Sequence, residues 1–227
     1  MLFLIDSGNL SAIERCTELF PVDGVTTNPT LIAKEKSDFK ELLKSIRNII
    51  GPNRMLHVQT TAVKSEDIVN EAKMLKDFVG GEFYIKIPVC GEGLKATMAC
   101  KKLGINVTQT AIFTSQQALL AAKAGASFVA PYVNRLDCIV GDGVRVVSDI
   151  VQIFKNYNLD AKVLAASFKS CEQVHKVALA GGHSVTINPE LFEQLIYHPL
   201  TDAAVEMFTK DWKAFYGEKA VSDFLGQ

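Results

Sequence analysis

The sequence predicts an α/β fold, a single (β/α)8 barrel of the TIM class with an additional C-terminal helix. Three observations lead there. Short apolar runs rich in β-branched residues alternate with amphipathic helical stretches. Eight such units recur at a spacing of about 25 to 30 residues, which suits eight β-then-α units closing on themselves. Polar residues fall at the C-terminal ends of seven of the eight runs, the rim where barrels of this class carry their active sites.

The strands are expected at Leu2 to Asp6, Gly24 to Thr27, Met55 to Thr60, Phe83 to Pro88, Asn106 to Ala111, Phe128 to Tyr132, Lys162 to Ser167 and Ser184 to Ile187. The first is an apolar run closed by a carboxylate. The second leads into Asn28-Pro29, a turn into a short helix. The third follows Gly51-Pro52-Asn53, and the fourth, sixth and eighth follow Gly80-Gly81, Lys123-Ala-Gly125 and Ala180-Gly-Gly182, all turn formers. Between strands three and four, Ile68, Val69, Ala72, Leu75 and Val79 recur at helical spacing behind Ser65, read as the cap of a helix from Ser65 to Val79. A doubly wound open sheet is the rival, but Asp6-Ser-Gly-Asn after the first strand is not the Gly-rich phosphate turn such a sheet carries. Residues 1–200 are assigned to the barrel and 201–227 to the C-terminal extension.

In Phe83 to Val89, alternation sends Phe83, Ile85 and Ile87 to one face and Tyr84 and Lys86 to the other. Lys86 is thereby aimed into an interior. Burial disfavours an ammonium, and a neutral amine is a nucleophile toward carbonyls. Around it the rim supplies Asp6, Thr26, Asn28, Gln59, Thr110, Tyr132, Arg135, Ser167 and Lys169. Thr26 and Asn28 also read as turn or capping residues, and Arg135 also reads as a surface partner of Asp137. Taken together, an interior lysine, a carboxylate, hydroxyls and cations suit a phosphorylated carbonyl compound: the lysine forms a Schiff base, the imine acts as electron sink, and Arg135 presents a forked donor to phosphate.

Composition narrows the alternatives. Twenty-four basic against twenty-five acidic residues leave no basic footprint for nucleic acid. No apolar run approaches a membrane span, and the early Asp6 interrupts any signal-peptide stretch, so a cytoplasmic location is expected. The five cysteines never form a C-x-x-C pair and are read mostly as small core residues, and the four histidines lack zinc-site spacing, so neither a metal nor any other cofactor is expected.

Four motifs carry a resemblance: Gly-Val-Thr-Thr-Asn-Pro-Thr at 24–30, Lys-Ile-Pro-Val at 86–89, Ala-Pro-Tyr-Val-Asn-Arg at 130–135 and Ala-Ala-Ser-Phe-Lys at 165–169. In their order and placement the chain resembles the small transaldolase-like proteins, and within them the fructose-6-phosphate aldolases. The resemblance implies a metal-independent class I aldolase with Lys86 as Schiff-base lysine, cleaving fructose 6-phosphate reversibly to dihydroxyacetone and glyceraldehyde 3-phosphate. The alternative it leaves is transaldolase, which passes the dihydroxyacetone unit to erythrose 4-phosphate. Transaldolases usually end the third strand in glutamate and carry phenylalanine on the sixth; Gln59 and Tyr132 match the aldolases, where with Thr110 they are thought to hold a proton-moving water. The resemblance also implies that Asp6, Thr26 and Asn28 bind donor hydroxyls and that Arg135, Ser167 and Lys169 bind phosphate. It further implies a homo-oligomer, a decamer, in which the C-terminal helix reaches a neighbour. Phe208, Trp212 and Phe215, one face of that helix at i, i+4 and i+7, are the sequence's own sign of an exposed stripe.

Overall fold

A computed structural model describes residues 1–226. The elements run β1 (Leu2–Asp6), α1 (Leu10–Leu19), β2 (Gly24–Thr26), α2 (Pro29–Lys34), α3 (Phe39–Ile50), β3 (Met55–Gln59), α4 (Ser65–Val79), β4 (Phe83–Pro88), α5 (Gly91–Lys102), β5 (Asn106–Ile112), α6 (Ser115–Ala124), β6 (Phe128–Pro131), α7 (Val133–Asp137), α8 (Gly143–Asn156), β7 (Lys162–Ala165), α9 (Cys171–Leu179), β8 (Ser184–Ile187), α10 (Pro189–Ile196), α11 (Pro199–Tyr216) and α12 (Ser222–Leu225). All strand pairs are parallel, and β8 pairs with β1, so the sheet closes in sequence order as a (β/α)8 barrel. The chain divides into two compact units, residues 1–192 and the remainder from Glu193 on.

The eight strands lie where apolar alternation places them, but several end differently. β5 continues to Ile112 through a register shift against β6, with Ala111 in the left-handed region at φ +57°. β7 stops at Ala165 because Ser167, at φ +63°, turns the chain off the sheet. β6 stops at Pro131 because Tyr132 caps α7, keeping only an isolated bridge to Ala166. Non-glycine residues at positive φ are costly and concentrate where surrounding structure enforces them for function; of the five among the described residues, Ala111 and Ser167 lie at the rim ends of β5 and β7.

The interior is layered. Leu4, Met55, Phe128 and Leu164 form a buried cluster, with Leu2 and Tyr84 packed against it. His57, fully buried, stacks on Tyr84 at 4.5 Å and 8° and meets Phe128 edge-on at 5.6 Å. These rings form a floor across the barrel. Two register positions above it, Gln59 pairs with Lys86, and polar residues take over.

Helix α4 begins at Ser65, but Ser65 does not cap it. The N-cap is Lys64 with no side-chain bond, and Glu92 from α5 accepts a hydrogen bond from the Ser65 amide at 2.7 Å. A tertiary contact thus satisfies an end that the sequence assigns to a local one. α5 itself comes close to β4: a Cβ on Gly93 would lie 2.2 Å from the Pro88 carbonyl oxygen. The cysteine expectation is also corrected. Cys16 and Cys100 are buried, whereas Cys90 and Cys138 are exposed and Cys171 is intermediate, because these three sit at helix ends near the rim.

In the C-terminal unit, the aromatic stripe is split. Trp212 Nε1 donates to the Lys219 carbonyl at 2.7 Å, and its ring meets Tyr216 at 4.4 Å and Phe224 at 6.2 Å, so residues after Gly217 fold back over it. Phe208 and Phe215 remain exposed.

Candidate active site

Lys86 stands on β4 with only 6% of its surface exposed. Its Nζ donates to the Thr27 carbonyl at 2.7 Å, and among the described residues no carboxylate lies within ion-pair distance. Burial lowers the amine from its ordinary value, and the Asp6 carboxylate partly opposes that. The alternation that aims Lys86 inward therefore gives an amine biased toward its nucleophilic form.

Beside it, Asp6 and Thr26 are register partners on β1 and β2. Thr26 Oγ1 donates to Asp6 Oδ1 at 2.7 Å and shares a 2.6 Å hydrogen bond with Thr186 Oγ1 on β8. Thr26 is fully buried, so it orients the carboxylate rather than offering a free hydroxyl. Asn28 caps α2, its side chain accepting from the Leu31 amide at 3.0 Å, as the turn reading anticipates. That leaves its amide nitrogen as a donor. Gln59 closes β3 next to Lys86 and is half-buried.

On the opposite side of the rim, Thr110 Oγ1 and the Tyr132 hydroxyl lie 3.1 Å apart. The Tyr132 ring is held between Phe113, edge-on at 5.5 Å, and the Arg135 guanidinium, 4.6 Å above its centroid. Arg135 does not pair with Asp137. Asp137 instead accepts from the Gly143 amide at 2.9 Å and from Gln173 Nε2 at 2.7 Å, which ties α7 to α8 and α9. The amides of Val133 and Asn134 donate to the carbonyls of Ala166 and Ser167, so α7 is pinned alongside the end of β7. Ser167 is partly buried; Lys169 is exposed and uses its main-chain N–H on Gln173 Oε1 at 2.8 Å.

The expected residues thus form two groups, Lys86 with Asp6, Thr26 and Gln59, and Tyr132 with Thr110, Arg135 and Ser167. Lys169 joins the second through its backbone alone. Two sizeable cavities flank the mouth without containing Lys86. One of ≈ 840 Å³ runs from Asn28 and Gln59 down an apolar groove with Ile32, Phe39 and Leu75, and one of ≈ 700 Å³ lies around Asp137, Arg145 and Lys176.

Sequence reasoning did not single out the Thr27 carbonyl, Thr186, Phe113, Gln173 or Glu71. Glu71 accepts from the Thr60 hydroxyl and the Thr61 amide, fixing the loop after β3. Alternation on β8, with Ser184 and Thr186 sharing a face, is the signal that would have found Thr186; backbone carbonyls and second-layer tethers leave none. Among the described residues no cluster of three or more His, Cys, Asp or Glu is placed to hold a metal, and no helix is long and apolar enough to cross a membrane.

Solved structures with this architecture include "Native KDPGal structure", 15% identical with TM-score 0.59, covering 87% of this chain and 84% of that one. A mandelate oxidase mutant, also 15% identical with TM-score 0.59, covers 83% of this chain and 64% of its own. At these identities the likeness concerns the barrel alone. Sequence relatives are closer: proteins named "Probable transaldolase" from Clostridium tetani (strain Massachusetts / E88) and Aquifex aeolicus (strain VF5) are each 42% identical, covering 94% of this chain and 99% and 97% of theirs. The model of the family described as Transaldolase/Fructose-6-phosphate aldolase matches residues 3–224, and the chain belongs to that family.

Proposed function

We propose that the protein is a class I aldolase that cleaves fructose 6-phosphate to dihydroxyacetone and glyceraldehyde 3-phosphate and runs the reverse addition. The observation that carries the reading is Lys86: a buried amine without an ion-pair partner among the described residues, its basicity lowered by burial, in a barrel of this family. The amine attacks the C2 ketone and water leaves to give an imine. Asp6, held by Thr26, and the free side of Asn28 bind hydroxyls of the three-carbon donor. The C4 hydroxyl gives up its proton through a water placed by Gln59, Thr110 and Tyr132 while the C3–C4 bond breaks. The electron pair is taken up by the imine as an enamine, and glyceraldehyde 3-phosphate leaves. Protonation at C3 and hydrolysis then free dihydroxyacetone and Lys86. Arg135, Ser167 and Lys169 receive the phosphate, Arg135 through its planar fork.

The choice of aldolase over transferase rests on Gln59 and Tyr132. An amide positions water but cannot act as a base, and the phenolic hydroxyl beside Thr110 adds a proton carrier. The transferase reading is favoured by the names of the 42% identical relatives, and it uses the same lysine with erythrose 4-phosphate as acceptor. Incubation with fructose 6-phosphate, with and without erythrose 4-phosphate, separates them. Sustained glyceraldehyde 3-phosphate release without acceptor is expected; release only with acceptor would establish the transferase. No release in either arm would overturn both.

A further inference from the structure

We infer that the Tyr132 ring links the phosphate position to the proton relay, so that an oxyanion on Arg135 activates the chemistry even when it is not attached to the substrate. The inference rests on the function proposed above and adds to it how the phosphate is used.

The geometry has three parts. First, Arg135 is an exposed cation with no carboxylate partner among the described residues, and its recorded contact is the face of Tyr132 at 4.6 Å. Asp137, its nearest acidic neighbour in sequence, is already engaged by Gly143 and Gln173. Second, the backbone beneath it is fixed: the amides of Val133 and Asn134 bond to the end of β7, and Gln173 Nε2 bridges Asn134 and Asp137. The movable element is therefore the Arg135 side chain. Third, the ring it covers is the one whose hydroxyl meets Thr110 at 3.1 Å, and its other recorded ring contact is the edge of Phe113.

A guanidinium uses separate directions for these tasks. Its N–H groups donate in the plane, while its face stacks on an aromatic ring. Arg135 can therefore grip an oxyanion and cover Tyr132 at the same time. With the position empty, the cation is one solvent-exposed side chain resting on a ring. With a doubly charged oxyanion held between Arg135 and the β7 end, the guanidinium is immobilised, the ring is clamped against Phe113, and the hydroxyl is held toward Thr110. Tyr132, already 3.1 Å from Thr110, is then held more firmly in the orientation that proton transfer needs. Arg135 acts as a positioning residue for the relay in addition to binding charge.

The test uses phosphite dianion, which carries the charge without the sugar. Fructose 6-phosphate serves as donor and unphosphorylated D-glyceraldehyde as acceptor, with glyceraldehyde 3-phosphate removed by a dehydrogenase, and fructose is measured; the assay works for an aldolase and a transferase alike. Phosphite is expected to raise kcat/KM for glyceraldehyde at least tenfold, saturably, and Arg135→Met to abolish the rise. Tyr132→Phe is the informative variant: phosphite should still compete with fructose 6-phosphate but no longer activate. Competition without activation in the wild type, or activation that survives in Tyr132→Phe, would overturn the linkage while leaving the proposed reaction standing. Absence of any fructose 6-phosphate turnover would overturn the proposed reaction and the linkage with it.

Discussion

Replacing Lys86 with methionine separates chemistry from architecture. Methionine has a similar reach and fills the same space, but it cannot form an imine. The structural loss is the 2.7 Å hydrogen bond from Nζ to the Thr27 carbonyl, a net contribution of about 1 kcal/mol. Against it stands removal of a polar amine from a site that is 94% covered, a gain of similar size for an apolar chain. The melting temperature should therefore stay within about 4 °C of wild type, since 1 kcal/mol corresponds to roughly 2–4 °C in a domain of this size. Turnover should fall by several orders of magnitude, toward the about 10⁶-fold that loss of a covalent nucleophile can cost. Borohydride added with fructose 6-phosphate should trap the three-carbon unit on Lys86 in wild type and nothing in the variant, read by peptide mass. The titration gives a second signature. Because the folded amine is lowered, the unfolded chain holds an extra proton between that lowered value and the ordinary 10.5, so wild-type stability rises with pH across that window. Lys86→Met should lose that rise. A variant keeping a tenth of the wild-type rate, or an adduct mapped to Lys169, would refute the assignment.

Tyr132→Phe removes one side of the 3.1 Å contact with Thr110; cleavage should slow about tenfold relative to transfer to erythrose 4-phosphate, and an unchanged ratio would take Tyr132 out of the relay. Thr26→Val keeps the shape but deprives Asp6 and Thr186 of a shared partner, so stability should fall by about 1–3 kcal/mol in denaturant titration, with a higher KM from a loosened carboxylate. Gly93→Ala places a methyl against the Pro88 carbonyl, which must move; a loss of about 1–3 kcal/mol is expected, together with reduced kcat because Pro88 follows Lys86 by two residues.

The barrel and its lysine were legible because both follow from period-two alternation. Phe83, Ile85 and Ile87 are buried on one face, and Lys86 is buried on the other, as the pattern requires. Strand ends were less legible, since they depend on backbone turns such as that at Ser167, which no residue type there announces. Local rules also misassigned roles that tertiary contacts decide. Ser65 has the right identity for a cap, yet Glu92 does the capping from the next helix. Thr26 and Asp6 were both singled out, but their mutual hydrogen bond depends on the register of two strands that only closure of the barrel fixes. The stacking of Arg135 on Tyr132 was hidden for a related reason: the two are three residues apart, and that spacing brings them together only because a helix starts at Tyr132, where the sequence reading continued the strand.

The aromatic floor has a consequence for the order of events. With His57, Tyr84 and Phe128 closing the barrel beneath Lys86, traffic to the amine passes through the rim alone. In the proposed reaction the donor carbons are tethered deepest and the aldehyde lies between them and the exit. The aldehyde must clear the mouth before a second acceptor can reach the enamine, and in the synthetic direction it must be the last to enter. A plugged tube of this kind imposes an obligatory queue on its reactants, with no moving lid needed to keep it.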